Sequence, residues 1–504
     1  MSVLKHLKGV HVKHSKNTAG KPIIPVPVPE RVYIPMSMHI GAPCTPVVKV
    51  GDHVKVGQLI GSSDVWHSAL VHSSVSGDVE AITQQMTQMG RVDTNIVIRT
   101  DGRQEIADSV VPPEIHDRQS FLDAVRASGL VGLGGAAFPT AVKYNTNPSK
   151  KVEFFIVNAA ECEPYITVDH SAMLQYTQDI VDGVRNIIKW LNIPKAFIGI
   201  ESNKPDAIAK FKEIIGSDRS IEVVTLRQIY PQGAERVIIY ECTGRHLVAG
   251  KIPFDVGCIV SNVTTVLKLQ QFIVSGMPLV TKFLTIDGNI VAKPQNVEVP
   301  IGTKITDIVD FCGGLTGEPK KIILGGPMMG RAIPTDDLAI LKGNNAVLFF
   351  DDFFAQQRKE TACINCGRCV AGCPMNLMPA KLSRAFKNKD LDMLRKYNVM
   401  TCMDCGCCAY TCPARKPLNS EFRLAKAMIM AEDKKKKEKA EKLEVEAAAT
   451  RAAAKAIAVK QHAQAQSAKS ASESAEVFAE DKAEAAKAAA PAEKPETNTK
   501  GGVA

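Results

Sequence analysis

The sequence predicts a multidomain α/β protein of 504 residues, made of four folded segments followed by a tail. Three observations support this prediction. The hydrophobic pattern changes along the chain, from alternating strands to a strand–helix alternation and then back to short strands. One cysteine pattern occurs twice between residues 363 and 413. Beyond Lys434 the composition narrows to mainly Ala, Lys and Glu, which marks a different kind of segment.

The composition argues against several classes of protein. With 45% hydrophobic residues the chain can bury sizeable cores, but it has no run of eighteen apolar residues that would predict a membrane-spanning helix. The first eight residues lack the apolar stretch of a signal peptide, so we expect the protein to be made and kept in the cytosol. The net charge is +9, yet aromatic residues make up only 5% and no nucleic-acid-binding motif occurs. We therefore expect no nucleic-acid partner.

Residues 1–112 are predicted to form a β domain. The segment 46–61 alternates apolar and polar residues, and 71–82 is a second half with a turn at Ser76-Gly77-Asp78. The two halves resemble the barrel-sandwich fold of biotinyl and lipoyl domains. Those carriers present a lysine at a hairpin tip, whereas residues 62–72 contain none. We interpret this domain as a docking or packing module, preceded by an extended segment around Ile23-Ile24-Pro25-Val26.

Residues 118–280 alternate strands and helices. Short apolar runs typical of buried parallel strands occur at 152–157, 196–200 and 221–226. Helical patterns lie between them, at 171–191 and 204–215. This order predicts a parallel sheet covered by helices on both faces.

Residues 281–350 predict a small β-grasp (SLBB) unit. A hairpin around Asp287-Gly288 is followed by a helix near 305–311 and a strand at 322–326. Residues 355–430 are predicted to be mostly helical outside the cysteine loops. One helix, from about Pro379 to Tyr397, is expected to connect the two cysteine runs.

The tail, residues 434–504, opens with four lysines and contains Phe478 as its only aromatic residue. Such a segment cannot bury enough apolar surface to offset the entropy lost when it becomes ordered. Alanine favours transient helix, but we predict a disordered Ala/Lys/Glu tail without a stable fold.

The repeated cysteine pattern is the strongest functional signal in the chain. Each copy reads Cys-x2-Cys-x2-Cys-x3-Cys-Pro, the spacing of bacterial ferredoxins with two [4Fe–4S] clusters, in which the fourth cysteine of each run ligates the other cluster. We therefore assign cluster one to Cys363, Cys366, Cys369 and Cys412. Cluster two is assigned to Cys402, Cys405, Cys408 and Cys373.

Zinc is the alternative metal, since paired CxxC units also bind it. A four-ligand zinc site leaves no role for the third cysteine or the trailing Cys-Pro of each copy. Cys407 lies out of phase with the repeat and is interpreted as a structural thiol beside a cluster, with ligand exchange with Cys408 left open.

A glycine-rich loop opens the α/β segment. Gly132, Gly134 and Gly135 would let the backbone approach a ligand, and a helix after Pro139 would place Lys143 nearby as a counter-charge. This arrangement suits a phosphate, although a tight structural turn is the alternative. Polar residues also follow two apolar strands, at 158–164 and 261–265, and α/β sheets bind ligands at such carboxyl-terminal strand ends.

The chain resembles a known family when these motifs are combined. The glycine loop, Asn158-Ala159-Ala160-Glu161-Cys162-Glu163-Pro164, Ser261-Asn262-Val263-Thr264-Thr265 and the β-grasp unit resemble the flavin-bearing, NADH-oxidising subunit of respiratory complex I. With the barrel-sandwich start and the double cysteine run, residues 1–430 resemble the C subunits of bacterial Rnf (or Rsx) electron-transport complexes. The resemblance implies a peripheral subunit on the cytoplasmic side of the cell inner membrane. It also implies a six-protein translocase that couples electron flow between NADH and ferredoxin-type carriers to ion transport.

The same resemblance implies which residues bind the flavin and the substrate. By position, the expected FMN contacts are Gly132, Gly134, Gly135, Lys143, Asn158, Glu161, Asn262 and Thr265. Phe138 and Glu163 are expected beside the nicotinamide of NADH, and no residue is assigned a catalytic role. Where the complex I pattern has Arg and Asp, this chain has Leu133 and Ala160.

The expected function is electron transfer from NADH through FMN and two [4Fe–4S] clusters to a partner subunit. The Leu133 and Ala160 departures leave open a two-cluster conduit without its own flavin. A scaffold subunit, in which the clusters serve as structural staples, is the third hypothesis.

Overall fold

The computed structural model describes residues 7–88, 90–146, 150–248, 250–356 and 359–488. It divides into two units, residues 1–426 and 427–504. None of the helices in the described ranges combines the length and the apolar composition needed to span a bilayer.

Two small antiparallel sheets form the N-terminal domain and confirm the predicted barrel sandwich. The strands of this region are β1 (Ile23–Pro25), β2 (Arg31–Pro35), β3 (Thr45–Pro46), β4 (His53–Val54), β5 (Leu59–Ser62), β6 (Val71–His72), β7 (Gly77–Met86) and β8 (Val92–Thr100). One sheet has the order β2-β8-β7-β4 and the other β3-β5-β6. The turn predicted at Ser76-Gly77-Asp78 is wrong: Gly77 begins β7, where a Cβ atom would lie 2.1 Å from the Arg99 carbonyl oxygen of β8.

A four-stranded parallel sheet forms the α/β domain, as predicted. Its strands are β9 (Phe154–Ala159), β10 (Lys195–Glu201), β11 (Ile221–Leu226) and β12 (Cys258–Asn262), in the order β11-β10-β9-β12. The helices of this region are α1 (Arg118–Ala127), α2 (Thr140–Tyr144), α3 (Val168–Gln175), α4 (Thr177–Trp190), α5 (Pro205–Ile215), α6 (Glu235–Thr243) and α7 (Val263–Ser275). The single helix predicted over 171–191 is two helices, because Tyr176 leaves helical geometry (φ −127°, ψ 34°) where its ring stacks on Phe283.

A six-stranded mixed sheet forms the β-grasp unit. It contains β13 (Thr281–Gly288), β14 (Gln295–Pro300), β15 (Lys321–Leu324), β16 (Arg331–Ile333) and β17 (Ala346–Phe350), with α8 (Ile305–Phe311) beside it. The strand order is β1-β14-β13-β17-β15-β16. Strands β13 and β14 do form an antiparallel hairpin, but its turn is not at Asp287-Gly288. Those residues end β13, and Gly288 (φ 132°) lies so close to β17 that a Cβ atom would be 2.0 Å from the Phe349 carbonyl oxygen.

The N-terminal segment crosses from one domain to the others. Strand β1 pairs in parallel with β14, although the sequence predicts it as a lead-in to the β domain. Farther upstream, Val10 and Tyr230 exchange backbone hydrogen bonds of 2.8 and 2.9 Å. The N-terminal segment therefore completes the β-grasp sheet, because extended backbone can pair with any sheet edge that offers free N–H and C=O groups.

Short helices surround the cysteine loops. They are α9 (Asp352–Ala355), α10 (Arg368–Ala371), α11 (Pro379–Lys387), α12 (Leu391–Lys396) and α13 (Cys407–Tyr410). The single helix predicted over 379–397 is wrong: Lys389 has a left-handed φ of 54°, and Asp390 caps α12 by accepting a hydrogen bond from the Met393 N–H.

The last helix, α14 (Leu418–Ala488), runs from the first unit into the second. The predicted disorder is therefore wrong for residues 434–488, while 489–504 lie outside the described residues. The helix follows from the high helix propensity of Ala, Lys and Glu and from i,i+4 ion pairs such as Lys434–Glu438 and Lys437–Glu441. Every side chain from Asp433 to Ala486 is exposed, so the tail forms no hydrophobic core.

One hydrophobic core joins the three N-terminal domains. It contains Val32 and Ile98 of the barrel sandwich, Phe155 of the α/β sheet, and Phe283 and Leu348 of the β-grasp sheet, all at most 1% exposed. The α/β domain is therefore held rigidly between its neighbours, which fixes the edge of its sheet.

Candidate functional site

The carboxyl-terminal edge of the parallel sheet brings two predicted residues together. Asn158 and Asn262 are directly paired in the register of β9 and β12. Asn262 caps α7: its side-chain oxygen accepts hydrogen bonds from the backbone N–H groups of Thr264 and Thr265. The Asn158 side chain donates to the Gly233 carbonyl oxygen at 2.7 Å. Both amides are thus fixed in position at the edge where α/β sheets bind ligands.

The glycine loop, residues 129–138, folds over this edge. The Leu133 N–H donates to the Thr265 hydroxyl at 2.9 Å, and a Cβ atom on Gly134 would lie 3.2 Å from the Asn262 amide nitrogen. Gly135 has a φ of 111° and open space around its Cβ position. The structure therefore brings Gly134, Gly135, Asn262 and Thr265 together, with the backbone of 134–136 exposed.

Lys143 lies on the short helix α2, as predicted. Its ammonium group donates to the Val260 carbonyl oxygen at 2.9 Å and lies 3.4 Å from Glu235. Gly132 closes the loop, since its N–H donates to the carbonyl oxygen of the half-buried Phe138. Gly132 thus fixes the conformation of the loop, and Lys143 supplies a positive charge on the helix that follows it.

Glu161 is buried beneath the same edge. One carboxylate oxygen accepts a hydrogen bond from the Asp169 N–H at 2.7 Å, and the other lies 3.6 Å from the Lys16 ammonium. Burial raises the pKa of Glu161 to about 7. Among the described residues, that second oxygen has no hydrogen-bond partner, which leaves an acceptor for a ligand hydroxyl.

Asp169 is a site residue that the sequence did not reveal. Its carboxylate accepts hydrogen bonds from the Asn262 amide at 2.7 Å and from the Thr264 hydroxyl at 2.6 Å. Asp169 therefore connects Glu161 to the start of α7. No local motif marks it, because its role depends on α3 reaching the sheet edge.

Glu163 has contacts other than those expected of a nicotinamide neighbour. Its two carboxylate oxygens accept hydrogen bonds from the N–H groups of Met328 and Met329, between β15 and β16. The Tyr230 hydroxyl lies 3.4 Å from the same carboxylate and donates to the Cys405 carbonyl oxygen at 2.8 Å. Burial raises the pKa of Glu163 to about 7. Glu163 thus lies between the β-grasp unit and a cysteine loop.

The eight predicted cluster cysteines lie around two separate cavities. A cavity of about 550 Å³ is lined by Cys363, Cys366, Cys369 and Cys412. A second, smaller cavity is lined by the predicted set Cys373, Cys402, Cys405 and Cys408, and also by Cys407. Each set therefore contains three cysteines of one run and the fourth of the other, as the cross-ligation pattern predicts. Within the part of the chain that the structure describes, no three His, Cys, Asp or Glu side chains converge on a single ion.

The two cysteine loops have matching backbones. In the cluster-one loop, residues 363–369, Asn365 and Gly367 have φ values of 53° and 74°. In the cluster-two loop, residues 402–408, Asp404 and Gly406 have 56° and 77°. Asn, Asp and Gly tolerate this left-handed region best, and such turns direct backbone N–H groups inward toward an anion. The two cysteine loops thus match in backbone conformation as well as in the spacing of their cysteines.

The cysteine sets differ in exposure. Cys363 and Cys366 are exposed, whereas Cys405 and Cys408 are buried. Cys405 and Cys407 pack in one hydrophobic cluster with Cys162 and Tyr230 of the α/β domain. Cys407 is fully buried, and its thiol lies 3.8 Å from the Tyr230 carbonyl oxygen. This contact agrees with Cys407 as a structural thiol.

The residues at both sites fit the cofactors that the sequence implies. For FMN, the glycine loop offers exposed backbone with open space at Gly135, Lys143 offers a cation, and Glu161 offers an oxygen that accepts no hydrogen bond from the described residues. For the clusters, each predicted set supplies four thiols to one cavity, one for each iron of a cubane, and Cys407 is a fifth cysteine at the second cavity.

Comparisons with known proteins agree with this architecture. Family models match as the RnfC barrel sandwich hybrid domain at 4–103, the Nuo51 FMN-binding domain at 125–271, the SLBB domain at 283–332 and a 4Fe-4S dicluster domain at 362–416. The chain is 43% identical over 398 residues to the C subunit of the proton-translocating ferredoxin:NAD(+) oxidoreductase complex of Clostridium ljungdahlii, covering 78% of this chain and 87% of that one. It is 40% identical over 431 residues to the C subunit of the Na(+)-translocating ferredoxin:NAD(+) oxidoreductase complex of Acetobacterium woodii, covering 85% and 97%.

A solved structure of an NAD+-reducing [NiFe]-hydrogenase in the H2-reduced state is a more distant match. It has 20% sequence identity and a TM-score of 0.42, with 61% of this chain and 63% of that chain covered. The relatives in sequence are therefore the stronger guide.

The fold and its two sites define an electron-transfer protein with a flavin-binding domain and a dicluster iron–sulfur domain, whose cofactors are FMN and two [4Fe–4S] clusters. The chain belongs to the family of C subunits of ion-translocating oxidoreductase complexes. It is accordingly an electron-transfer subunit of a multi-subunit complex.

Proposed function

We propose that this subunit exchanges electrons with NADH at its α/β domain and with a partner at its cluster-one loop, the cluster-two loop lying between them in the path. The observation that carries this proposal is the contrast in burial of the two loops. Cys405 and Cys408 are buried, and Cys405 packs with Cys162 and Tyr230 of the α/β domain. Cys363 and Cys366 are exposed and accessible to another protein.

The cofactor ligands are proposed from the site geometry together with the family. Cys363, Cys366, Cys369 and Cys412 would hold cluster one, and Cys402, Cys405, Cys408 and Cys373 cluster two. FMN would lie against Gly132, Gly134, Gly135, Lys143, Asn158, Glu161, Asn262 and Thr265. When bound, FMN supplies the conversion between a two-electron hydride and the single electrons that iron–sulfur clusters carry.

The neighbouring side chains have positioning roles in this proposal. Phe138, half-buried in the glycine loop, is the proposed contact of the nicotinamide. Glu163 has both carboxylate oxygens engaged by backbone N–H groups, so we assign it to holding the cluster-two loop through Tyr230. Asp169 orients Asn262 and Thr264 at the sheet edge.

The surface beside cluster one favours an acidic redox partner. Its cavity is bordered by Lys381, Arg384, Lys387 and Lys416, and Glu360, which pairs with both Lys387 and Lys416 at 2.6 Å, leaves this border with a net positive charge. Opposite charge speeds the encounter of electron-transfer proteins and orients them. Together with the ferredoxin named for the relatives, this basic border supports a ferredoxin-type carrier or an acidic subunit as the partner. We place the protein peripherally on the cytoplasmic side of the cell inner membrane, within a six-protein complex.

Anaerobic titration with NADH tests this function. We expect NADH to bleach a flavin band of the purified protein and to produce the low-temperature EPR signals of reduced clusters, from about eight irons per chain. Dithionite reduction serves as the control that both clusters are present. Clusters that dithionite reduces and NADH leaves oxidised would contradict nicotinamide exchange on this subunit.

A further inference from the structure

Two buried lysines of the β-grasp region donate hydrogen bonds to carbonyl oxygens of the glycine loop. Lys282, on β13, is 1% exposed, and its ammonium donates to the Leu133 carbonyl oxygen at 3.1 Å. Lys342, just before β17, is fully buried and donates to the carbonyl oxygens of Gly129 and Leu70. Both side chains thus reach the loop from outside the α/β domain.

Two other buried lysines each form an ion pair with a carboxylate, whereas these two form none among the described residues. Lys204 lies 2.9 Å from Glu201, and Lys268 lies 3.0 Å from Glu298. Within the described ranges, neither Lys282 nor Lys342 has a carboxylate within 4.0 Å. A buried charge without a partner is costly. Burial accordingly lowers the pKa of Lys282 to about 8, where the more distant Asp169 carboxylate opposes the shift and Lys268 adds to it, and burial lowers the pKa of Lys342 to about 7.

The hydrogen bond from Lys282 also orients the loop. A trans peptide is planar, with its C=O and N–H groups pointing in opposite directions. Because the Leu133 carbonyl points toward Lys282, the N–H of Gly134 points away from it. Gly134 belongs to the exposed stretch 134–136, so this N–H is turned toward the side of the loop that a ligand can reach.

We propose that Lys282 and Lys342 form a buried cationic support for the glycine loop, whose charge is balanced when a phosphate-bearing ligand binds there. The inference rests on the proposed function only in taking FMN as that ligand. It also offers a physical reason why the loop can have Leu133 where the complex I pattern has Arg. The leucine is buried, and the cation comes from β13 instead.

The test compares FMN with riboflavin, which lacks the phosphate, on the full-length protein after removal of its flavin. Lys282→Gln keeps a hydrogen-bond donor for the Leu133 carbonyl but removes the charge, and Lys282→Arg keeps the charge. Lys268→Met is the control for loss of a neighbouring buried charge, because Lys268 bonds to Thr281 and Glu298 and affects Lys282 only through space. Dissociation constants are measured by flavin fluorescence quenching, and melting temperatures are measured without flavin.

We expect Lys282→Gln to weaken FMN binding at least tenfold while riboflavin binding changes less than twofold. Lys282→Arg should restore FMN binding, and Lys268→Met should change neither ligand. Equal losses for FMN and riboflavin, or unchanged FMN binding, would overturn the inference. If Lys282→Gln does not fold, failure of Lys282→Arg to bind FMN would also overturn it. Wild-type protein that binds neither flavin would overturn the proposed function as well.

Discussion

Lys342 shows how strongly one residue's environment can set its chemistry. It is fully buried, and the titratable groups that face it are His39, His72 and Cys44. Burial lowers the pKa of His72 to about 3 and also lowers that of His39, so both rings are neutral above pH 7. Lys342 is therefore expected to change its charge between pH 7 and 10, while both neighbouring rings stay neutral.

The first prediction concerns the pH dependence of stability at Lys342. Its pKa is about 7 in the fold and 10.5 when unperturbed, so between these values the unfolded chain binds more protons. Stability contributed at this position must then rise with pH, by at most about 1.4 kcal/mol per pH unit. We expect the free energy of unfolding of flavin-free wild type, minus that of Lys342→Met, to increase from pH 7 to 9. If denaturant titrations show that the free energies of unfolding of wild type and Lys342→Met change in parallel with pH, this assignment is contradicted.

Other residues show what sequence alone can identify. The eight cysteines could be assigned to two sets because their spacing is itself the ligand pattern, and the structure places each set around one cavity. Asp169, Tyr230 and Lys282 could not be found in this way. Each forms hydrogen bonds with residues more than sixty positions away in the sequence or in another domain, so no local periodicity or motif indicates its role.

Among the elements, the types of helices and strands were more predictable than their ends. The strands at 196–200 and 221–226 and the helix at 305–311 are present as β10, β11 and α8. The errors lie where a tertiary contact breaks an otherwise regular pattern, as at Tyr176 against Phe283. The prediction of a disordered tail was wrong for the opposite reason. Its composition lacks a core, but Ala, Lys and Glu form a helix through local interactions alone.

Tyr230 connects three elements, and a second prediction follows from that. Its hydroxyl bonds to the Cys405 carbonyl oxygen and contacts Glu163. Tyr230→Phe leaves a buried carbonyl unpaired, which should lower the free energy of unfolding by about 1–3 kcal/mol. We also expect the EPR signal of cluster two to change while that of cluster one stays the same. Tyr176→Phe, in the same domain, is the control, and equal changes in both clusters would contradict a specific role.

The barrel-sandwich, α/β and β-grasp domains share one core around the flavin-binding sheet. Residues of the barrel sandwich and the β-grasp unit pack with the α/β domain, and the N-terminal segment crosses it. The barrel sandwich and the β-grasp unit thus act as supports of the site, and the latter contributes Lys282 and the backbone partners of Glu163. Side chains locked by such packing hold the residues of a binding site in a fixed geometry.

The order of the two clusters is the central claim at this scale, and one measurement tests it most directly. Cys402→Ala and Cys363→Ala, each removing one ligand, are compared by EPR after anaerobic reduction with NADH and with dithionite. We predict that Cys363→Ala still shows NADH-reduced cluster two, because that cluster lies on the flavin side. Cys402→Ala should keep a cluster one that dithionite reduces and NADH does not. Rapid NADH reduction of cluster one in Cys402→Ala would contradict the proposed path.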